Sequence, residues 1–436
     1  MLHIKKALAL ASLIAIAAAS AACSGGTVPN STSSNTGSGS TGSGSTITLE
    51  FQQWWEPELP TGALRSLMDQ FEAANSGIKV KLLSGPYADT QQQVVAGAAA
   101  GTLADVVGLD GAWVSDLVKQ GAITDLSALM STAGYDKSQL ASTVDYGGST
   151  YMIPTVNFVY PMFVNNSLLS AAGITTPPST RTDFAAAAKK VTDPAKNIYG
   201  WVLPLGLDTA NGIQNDVMSW VWASGGSMMQ NGKPNVAGNA DIKSALQFIQ
   251  QMYNDKVLVP GALSLQEQDK VNNFTNGRVA MMIDSLAHIT MIRKANANLD
   301  FSVIPIPAAD GYTGARGIPY ASWGIGVSSN SPNKDAAWKL VQFLLSPDTN
   351  AKMAQLANAF PNNKQSKPDY SSADPVFQKA YELYQQETPT NEFQGLPTAT
   401  ALMQSFDTEF QKMLDKGQDV DTTLTSIQTN WLKAFS

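Results

Sequence analysis

Cysteine and histidine are almost absent from this sequence. Its 436 residues include one cysteine, Cys23, and two histidines, His3 and His288. A lone cysteine excludes an intramolecular disulfide, a cysteine-based zinc site and a thiolate nucleophile in the body of the chain. A Ser-His-Asp triad would have to use His288, and no G-x-S-x-G, H-E-x-x-H or P-loop pattern surrounds a plausible nucleophile or metal site. We therefore expect no enzyme activity, no cofactor and no metal site.

Charged residues are also sparse, at 14% of the chain. Without Lys5 and Lys6 the sequence has 26 basic and 35 acidic residues, a net charge of −9, and it carries no basic stripe that would indicate nucleic-acid binding. Polar uncharged and aromatic residues are plentiful instead. This composition suits recognition of a neutral, hydroxyl-rich ligand, although it is equally typical of a secreted protein surface.

Long apolar runs are confined to the N-terminus. Lys5 and Lys6 precede the apolar run from Ala7 to Ala22, which is typical of a secretory signal peptide at 1–22 and is shorter than the roughly 20 residues that span a bilayer. The sequence Ser20-Ala21-Ala22-Cys23 resembles a bacterial lipobox, with Ser where Leu is usual, so we expect lipidation of Cys23 and a membrane anchor through it. Ordinary cleavage after Ala22 is the alternative. Residues 23–46 then read as the lipidated cysteine and a flexible Gly/Ser/Thr linker.

The remaining chain is long enough for two domains, and its periodicity alternates between strands and helices. Strands are predicted at 47–52, 78–83, 105–109, 301–306 and 325–328, and helices at 61–74, 91–100, 240–254, 335–345 and 350–358. The opening order β-α-β-α-β predicts a mostly parallel sheet covered on both faces, an α/β fold.

Aromatic and polar side chains follow several of these strands. In open α/β sheets the ligand lies beyond the carboxyl ends of the strands. Indole faces stack on sugar rings while carboxylates and amides bind hydroxyl groups, so Trp beside Asp or Asn indicates a carbohydrate site. One of Trp54 and Trp55 is expected to be a core residue. The candidate ligand-binding residues of this kind are Trp54, Trp55, Glu56, Asp110, Trp113, Asn157, Tyr160 and Trp323.

Four sequence segments resemble those of one family, the family 1 extracellular solute-binding proteins, to which maltose-binding protein belongs. The first runs from Asp105 through Trp113 to Leu126, and the second joins the Tyr151-Met152-Ile153-Pro154 loop to Phe163–Leu169. The third is Phe274–Asp284, containing Asn276-Gly277-Arg278-Val279-Ala280-Met281-Met282, and the fourth is Ser331–Trp338. The resemblance extends from about Ile47 to the C-terminus.

This resemblance implies the type II periplasmic-binding-protein fold, in which two α/β lobes enclose a ligand cleft. Lobe 1 would comprise 47–157 plus 284–330, and lobe 2 would comprise 158–283 plus 331–436. The chain would be the extracytoplasmic, monomeric subunit of an ABC importer that captures a sugar or oligosaccharide and delivers it to the transmembrane permease. Further candidates for ligand contacts are Trp220 and Trp222 as apolar walls, and Asp284 and Asn362 as polar residues from the crossings and a loop.

Three alternatives remain open at the level of sequence. A secreted glycoside hydrolase needs only two suitably spaced carboxylates, and many are available. A polysaccharide-binding surface protein would share the aromatic residues. The third alternative is a binding protein of the same fold whose ligand is a polyamine or glycerol phosphate. A site for glycerol phosphate is expected to contain several Arg or Lys residues.

Overall fold

The computed structural model describes residues 46–435. The predicted signal peptide, Cys23 and the linker up to residue 45 lie outside the described residues. Within the described part, no helix is both long enough and apolar enough to cross a membrane.

The strands of the described part form two main sheets and one short hairpin. They are β1 (Ile47–Gln53), β2 (Ile78–Ser84), β3 (Val106–Leu109), β4 (Val144–Tyr146), β5 (Ser149–Val159), β6 (Met162–Asn165), β7 (Tyr199–Trp201), β8 (Met229–Gln230), β9 (Lys233–Pro234), β10 (Val279–Ile283), β11 (Phe301–Ile304), β12 (Gly317–Val327), β13 (Phe360–Pro361) and β14 (Thr388–Thr390).

Helices connect and cover these strands. They are α1 (Trp55–Glu58), α2 (Ala63–Ala74), α3 (Tyr87–Ala100), α4 (Val114–Lys119), α5 (Leu126–Ala133), α6 (Asn166–Ala171), α7 (Arg181–Val191), α8 (Met218–Trp222), α9 (Ala240–Asn254), α10 (Glu267–Thr275), α11 (His288–Ala295), α12 (Lys334–Leu344), α13 (Pro347–Ala357), α14 (Pro375–Gln386), α15 (Ala399–Lys416) and α16 (Val420–Leu432). A π-helical turn at Ile213–Val217 precedes α8.

The first sheet has the strand order β13-β5-β12-β3-β1-β2, with β4 beside β5 and β14 beside β12. Strand β1 is parallel to both β2 and β3, whereas β12 is antiparallel to β3 and β5. The second sheet has the order β11-β6-β10-β7, in which β10 is parallel to β7 and antiparallel to β6. Both sheets have helices packed on them, so the predicted α/β class is confirmed.

Local sequence explains why these elements form where they do. Leu64, Leu67, Met68 and Phe71 recur at helical spacing in α2 and are all buried. The side chain of Asn239 caps α9 by accepting hydrogen bonds from the first backbone amides of that helix. All the predicted helices and strands are confirmed to within a few residues, apart from one strand.

That strand is β12, which was predicted at 325–328 and in fact begins at Gly317. Pro319 and the partly exposed Tyr320 and Ala321 that follow it interrupt the period-two pattern, so the first part of the strand gives no clear signal. The extra length is structurally important because residues 320–323 pair with the end of β5.

The strand pairing differs from the predicted lobe boundaries in two places. The segment 284–330 was assigned to lobe 1, but its strand β11 pairs with β6 in the second sheet. The segment 331–436 was assigned to lobe 2, but β13 pairs with β5, and α12 and α13 pack on the first sheet. We therefore propose that the chain crosses between the sheets after β5 and after β11, because the next strand pairs in the other sheet each time.

Candidate functional site

Two adjoining pockets lie between the sheets, beyond the carboxyl ends of β1, β3, β5 and β10. The first has a volume of about 30 Å³, so the space is narrow. The second has a volume of about 90 Å³. Both pockets are lined by Trp54, Glu58, Tyr87, Glu267 and His288. We call this combined space the cleft cavity.

Aromatic rings form one side of the cleft cavity. The ring of Trp54 meets Tyr87 edge to face, with centroids 5.3 Å apart, and Trp113 packs behind both rings. Trp323 lines the same space from β12. Indole and phenol rings held by neighbours in this way offer rigid apolar faces for a ligand ring.

Asp110 immediately follows β3 and is held in a defined orientation. Its Oδ1 accepts a hydrogen bond from the backbone amide of Ala112 at 2.8 Å, and its Oδ2 accepts one from the Tyr87 hydroxyl at 3.2 Å. Burial raises the pKa of the Asp110 carboxyl and raises that of the Tyr87 hydroxyl well above its usual value. Tyr87 therefore stays a hydrogen-bond donor at neutral pH.

Two glutamates face the cleft cavity from opposite sides. Glu58, at the end of α1, is only 8% exposed, and burial raises the pKa of its carboxyl from 4.5 to about 8. The side chain of Trp323 donates a hydrogen bond to it. Glu267, in the first turn of α10, accepts a hydrogen bond from Asn211 Nδ2 at 3.0 Å. The cavity can thus accept hydrogen bonds from ligand hydroxyl groups on either side.

A buried chain of charges stands behind the second wall of the cavity. Lys270 Nζ lies 3.2 Å from Asp216 and 3.3 Å from Asp284, and it donates a hydrogen bond to the carbonyl of Ile283 at 2.8 Å. His288 Nδ1 lies 3.0 Å from Asp284. We call Asp216, Lys270, Asp284 and His288 the charge network.

The charge network fixes the state of His288. Burial opposes its charge, but the Asp284 carboxylate outweighs burial and raises the pKa of His288 from 6.5 to about 9. The imidazole is therefore protonated at neutral pH, and its Nε2 is the nitrogen left to donate to a ligand.

Glu267, Asp284 and His288 also place one possible metal-ligating atom each within 4.8 Å of one another. The Lys270 ammonium lies against Asp284, and a protonated His288 cannot ligate a metal. Lys270 and the protonated His288 already neutralise the negative charge that would attract a metal ion. These contacts agree with the expectation of no metal site, which stays a prediction.

Four of the residues predicted from sequence line the cleft cavity together: Trp54, Asp110, Tyr160 and Trp323. They belong to four neighbouring strands of the first sheet: Trp54, Asp110 and Tyr160 directly follow β1, β3 and β5, and Trp323 lies within β12. Their role in ligand binding stays a prediction, and all four side chains line the same cavity.

The other predicted residues of the first sheet are placed elsewhere. Trp55 is fully buried beneath Trp323, and Trp113 supports the rings of Trp54 and Tyr87 from behind. Glu56 turns away and accepts a hydrogen bond from Ser84 Oγ, because α1 points successive side chains in different directions. The amide oxygen of Asn157 accepts from the Tyr320 hydroxyl at 2.6 Å, and that of Asn362 accepts from the backbone amide of Ser142 at 3.0 Å.

Three predicted residues of the second sheet region also do not line the cavity. Trp220 packs among Phe184, Trp201 and Phe248 in the core. Trp222 donates its indole hydrogen to Glu392 at 2.7 Å, and Asp284 is fully buried in the charge network. Large apolar side chains are more often buried than displayed, which explains the two tryptophans.

Sequence reasoning missed several residues that line the cavity. They are Glu58, Tyr87, Phe158, Asn211, Asn215, Glu267, Ser285, His288 and Ser322. His288 had a usable signal, because Asp284 lies one helical turn before it at the end of a buried strand. Asn211 and Asn215 had none, since the π-helical turn that carries Asn215 has no sequence signature.

Residues 57–351 match the family model described as bacterial extracellular solute-binding protein. The chain belongs to this family. A binding protein of Brucella abortus (strain 2308) is 30% identical over 306 residues, covering 69% of this chain and 72% of the relative. A lipoprotein of Streptomyces antibioticus is 25% identical over 335 residues, covering 71% and 69% of the two chains.

Solved structures of similar shape are two-lobed binding proteins, which confirms the predicted fold. A solute-binding protein of an ABC transporter from Thermotoga lettingae, bound to α-D-tagatose, has a TM-score of 0.77 at 22% identity and covers 90% of this chain and all of that one. Maltose-bound MalE3 of T. maritima has a TM-score of 0.72 at 21% identity, covering 89% and 100%.

Proposed function

We propose that this family member is the solute-binding subunit of an ABC importer and that it captures a sugar in the cleft cavity. The observation that carries this proposal is the pairing of two cavity-lining aromatic rings, Trp54 and Tyr87, with the oriented carboxylate of Asp110. Apolar ring faces beside fixed hydrogen-bond acceptors suit a ring with hydroxyl groups at its edge. The tagatose and maltose complexes of proteins with the same fold support the choice of a sugar.

The narrow cavity favours a single sugar ring over a long chain. Residues from both sheets line it, so a bound ring would touch both sides and stabilise the closed arrangement by its extra contacts there. Opening would follow from bending at the crossings between the sheets, and the membrane permease would recognise the closed form.

Membrane attachment through lipidated Cys23 is part of the same proposal. The family is extracellular, and the Streptomyces antibioticus relative is named as a lipoprotein. Stable anchoring without a membrane-spanning helix requires acyl chains, which the predicted lipobox would supply.

The proposal can be tested by thermal melting and calorimetry on the chain from residue 24 onward. The titrants are single sugars, disaccharides, polyols, polyamines and glycerol phosphate, each followed by mass spectrometry. A saturable rise in melting temperature with a sugar that stays intact supports the proposal. Conversion of the sugar would instead indicate a hydrolase, for which three carboxylates line the cavity, and a response confined to non-sugars would contradict the sugar assignment.

A further inference from the structure

The cleft cavity has more negative than positive charge. Three carboxylates line it: Glu58, Asp110 and Glu267. Among the described residues that line the two pockets, His288 is the only one with a positive charge, and no lysine or arginine is present.

The positive charges nearby are already used. Lys270 lies between Asp216 and Asp284, and His288 is paired with Asp284. Both cations of this charge network thus have acidic partners within it, although burial raises the pKa of the Asp216 carboxyl from 3.8 to about 7. Among the described residues, none forms an ion pair with the three carboxylates of the cavity.

A buried carboxylate without a counter-charge is unfavourable, and it either takes up a proton or binds a cation. The pKa of the Glu58 carboxyl shows this effect. Burial is the main cause that raises it to about 8, and the negative charges of Glu267 and Asp284 also raise it. The positive charge of His288 lowers it. A neutral ligand would leave these carboxyl groups protonated or unpaired. A cationic ligand would release the proton and supply the missing charge.

The aromatic residues fit the same ligand. The cavity is lined by Trp54, Tyr87 and Tyr160, and an ammonium group within about 6 Å of such rings is attracted by their π-electrons. The amides of Asn211 and Asn215 and the hydroxyl groups of Ser285 and Ser322 also line the cavity, and their remaining hydrogen-bonding capacity suits uncharged hydroxyl groups. The cavity therefore offers separate partners for a cation and for the hydroxyl groups of a ring.

We propose that the ligand is an amino sugar, a hydroxylated ring bearing a protonated amine that lies among Glu58, Asp110 and Glu267. This inference rests on the proposed sugar-binding function and specifies its substrate class.

The test compares matched sugars by calorimetry at about pH 6.5, where simple amines are protonated. The pairs are D-glucosamine with D-glucose and D-galactosamine with D-galactose, with the N-acetyl forms as uncharged amides and putrescine as an amine without a ring. We expect one amine to bind at least about tenfold more tightly than both its neutral partner and its N-acetyl form.

Two substitutions locate the preference. Glu267→Gln preserves the shape of the side chain and removes one negative charge. It should therefore bring the affinity for the amino sugar close to the affinity for its neutral partner. Glu56→Gln removes the same charge outside the cavity, where Glu56 pairs with Ser84, and should leave the ratio unchanged. Because the readout is a ratio of affinities on one protein, a modest loss of stability does not alter it.

The outcomes separate the two proposals. Neutral sugars that bind as tightly as their amines, or a ratio that Glu267→Gln does not change, would overturn the amino-sugar inference and leave sugar binding in place. Two results would overturn both proposals: the protein binds putrescine but no sugar, or it binds neither putrescine nor any sugar, charged or neutral.

Discussion

Trp55 stacks on Trp323, with ring centroids 5.4 Å apart and planes inclined by 7°. Trp323 lines the cleft cavity, whereas Trp55 is fully buried beneath it. The two neighbouring tryptophans after β1 therefore have different positions. Trp54 lines the cavity, whereas Trp55 is a core residue that supports the ring of Trp323. This arrangement decides which of the two is expected to affect folding most.

Replacing Trp55 with alanine should remove a fully buried ring and its stacking partner. We expect Trp55→Ala to lower the free energy of unfolding by roughly 3–5 kcal/mol, as for other buried aromatic residues. Urea denaturation followed by circular dichroism measures this value. Leu432→Ala, at a side chain that is 46% exposed, is the control and should cost less than about 0.5 kcal/mol. Similar losses for both variants would contradict the buried position of Trp55.

The charge network predicts an asymmetry between buried and surface ion pairs. Lys270→Met would leave Asp216 buried without a cation and Asp284 with His288 alone, and it should lower the free energy of unfolding by roughly 3–5 kcal/mol. Lys379→Met breaks the exposed pair with Glu382 and should cost less than about 1 kcal/mol. A Lys270→Met protein as stable as Lys379→Met would show that the buried pairs do not form.

Asp407 predicts a specific pH dependence of stability. This carboxyl group in α15 is fully buried, and burial raises its pKa from 3.8 to about 8. The folded state then binds its proton more tightly than the unfolded state, so stability decreases as the pH rises from 3.8 through 8. We expect Asp407→Asn to raise the melting temperature more at the upper end of this range than at the lower end.

The control for that measurement is Asp415→Asn, on the same helix, whose side chain is 44% exposed beside Lys416. Its effect on the melting temperature should vary little over the same pH range. An Asp407→Asn protein whose melting difference from wild type is constant with pH would contradict the buried, protonated state of Asp407.

Lipidation of Cys23 predicts the distribution of the protein in cells. In a bacterium that lipidates such signals, the wild-type chain should fractionate with membranes and incorporate labelled fatty acid. Cys23→Ser should remove the label and release the protein from the membrane fraction. Release of the unlabelled wild-type protein would instead indicate ordinary cleavage after Ala22.

Much of the fold could be predicted because strong periodic patterns coincide with the real elements. The apolar stripe of α2 and the continuous apolar run of β3 gave both type and approximate bounds. The lobe boundaries could not be predicted, since the pairing of β11 with β6 joins residues far apart in sequence. No local pattern specifies such a partner.

The candidate site was only partly accessible from sequence. Residues directly after strands, such as Asp110, were found because strand ends meet at one edge of a sheet. Trp220 and Trp222 are predicted at the ligand but are buried away from the cleft cavity, since residue type alone does not separate a core tryptophan from an exposed one. Glu58 and Glu267 were missed because only the folded chain brings these two glutamates to one cavity.

The most direct test of sugar capture between the two sheets is calorimetric titration of one sugar into two single variants. Asp110→Ala alters the side of the first sheet, and Asn215→Ala alters the π-helical turn on the opposite side, with Glu56→Ala as the control outside the cavity. With the sugar that gives the largest melting shift, we predict that each cavity variant binds at least about tenfold more weakly and that the control binds like wild type. Unchanged affinity in either cavity variant, or saturable binding of no sugar at all, would contradict the account.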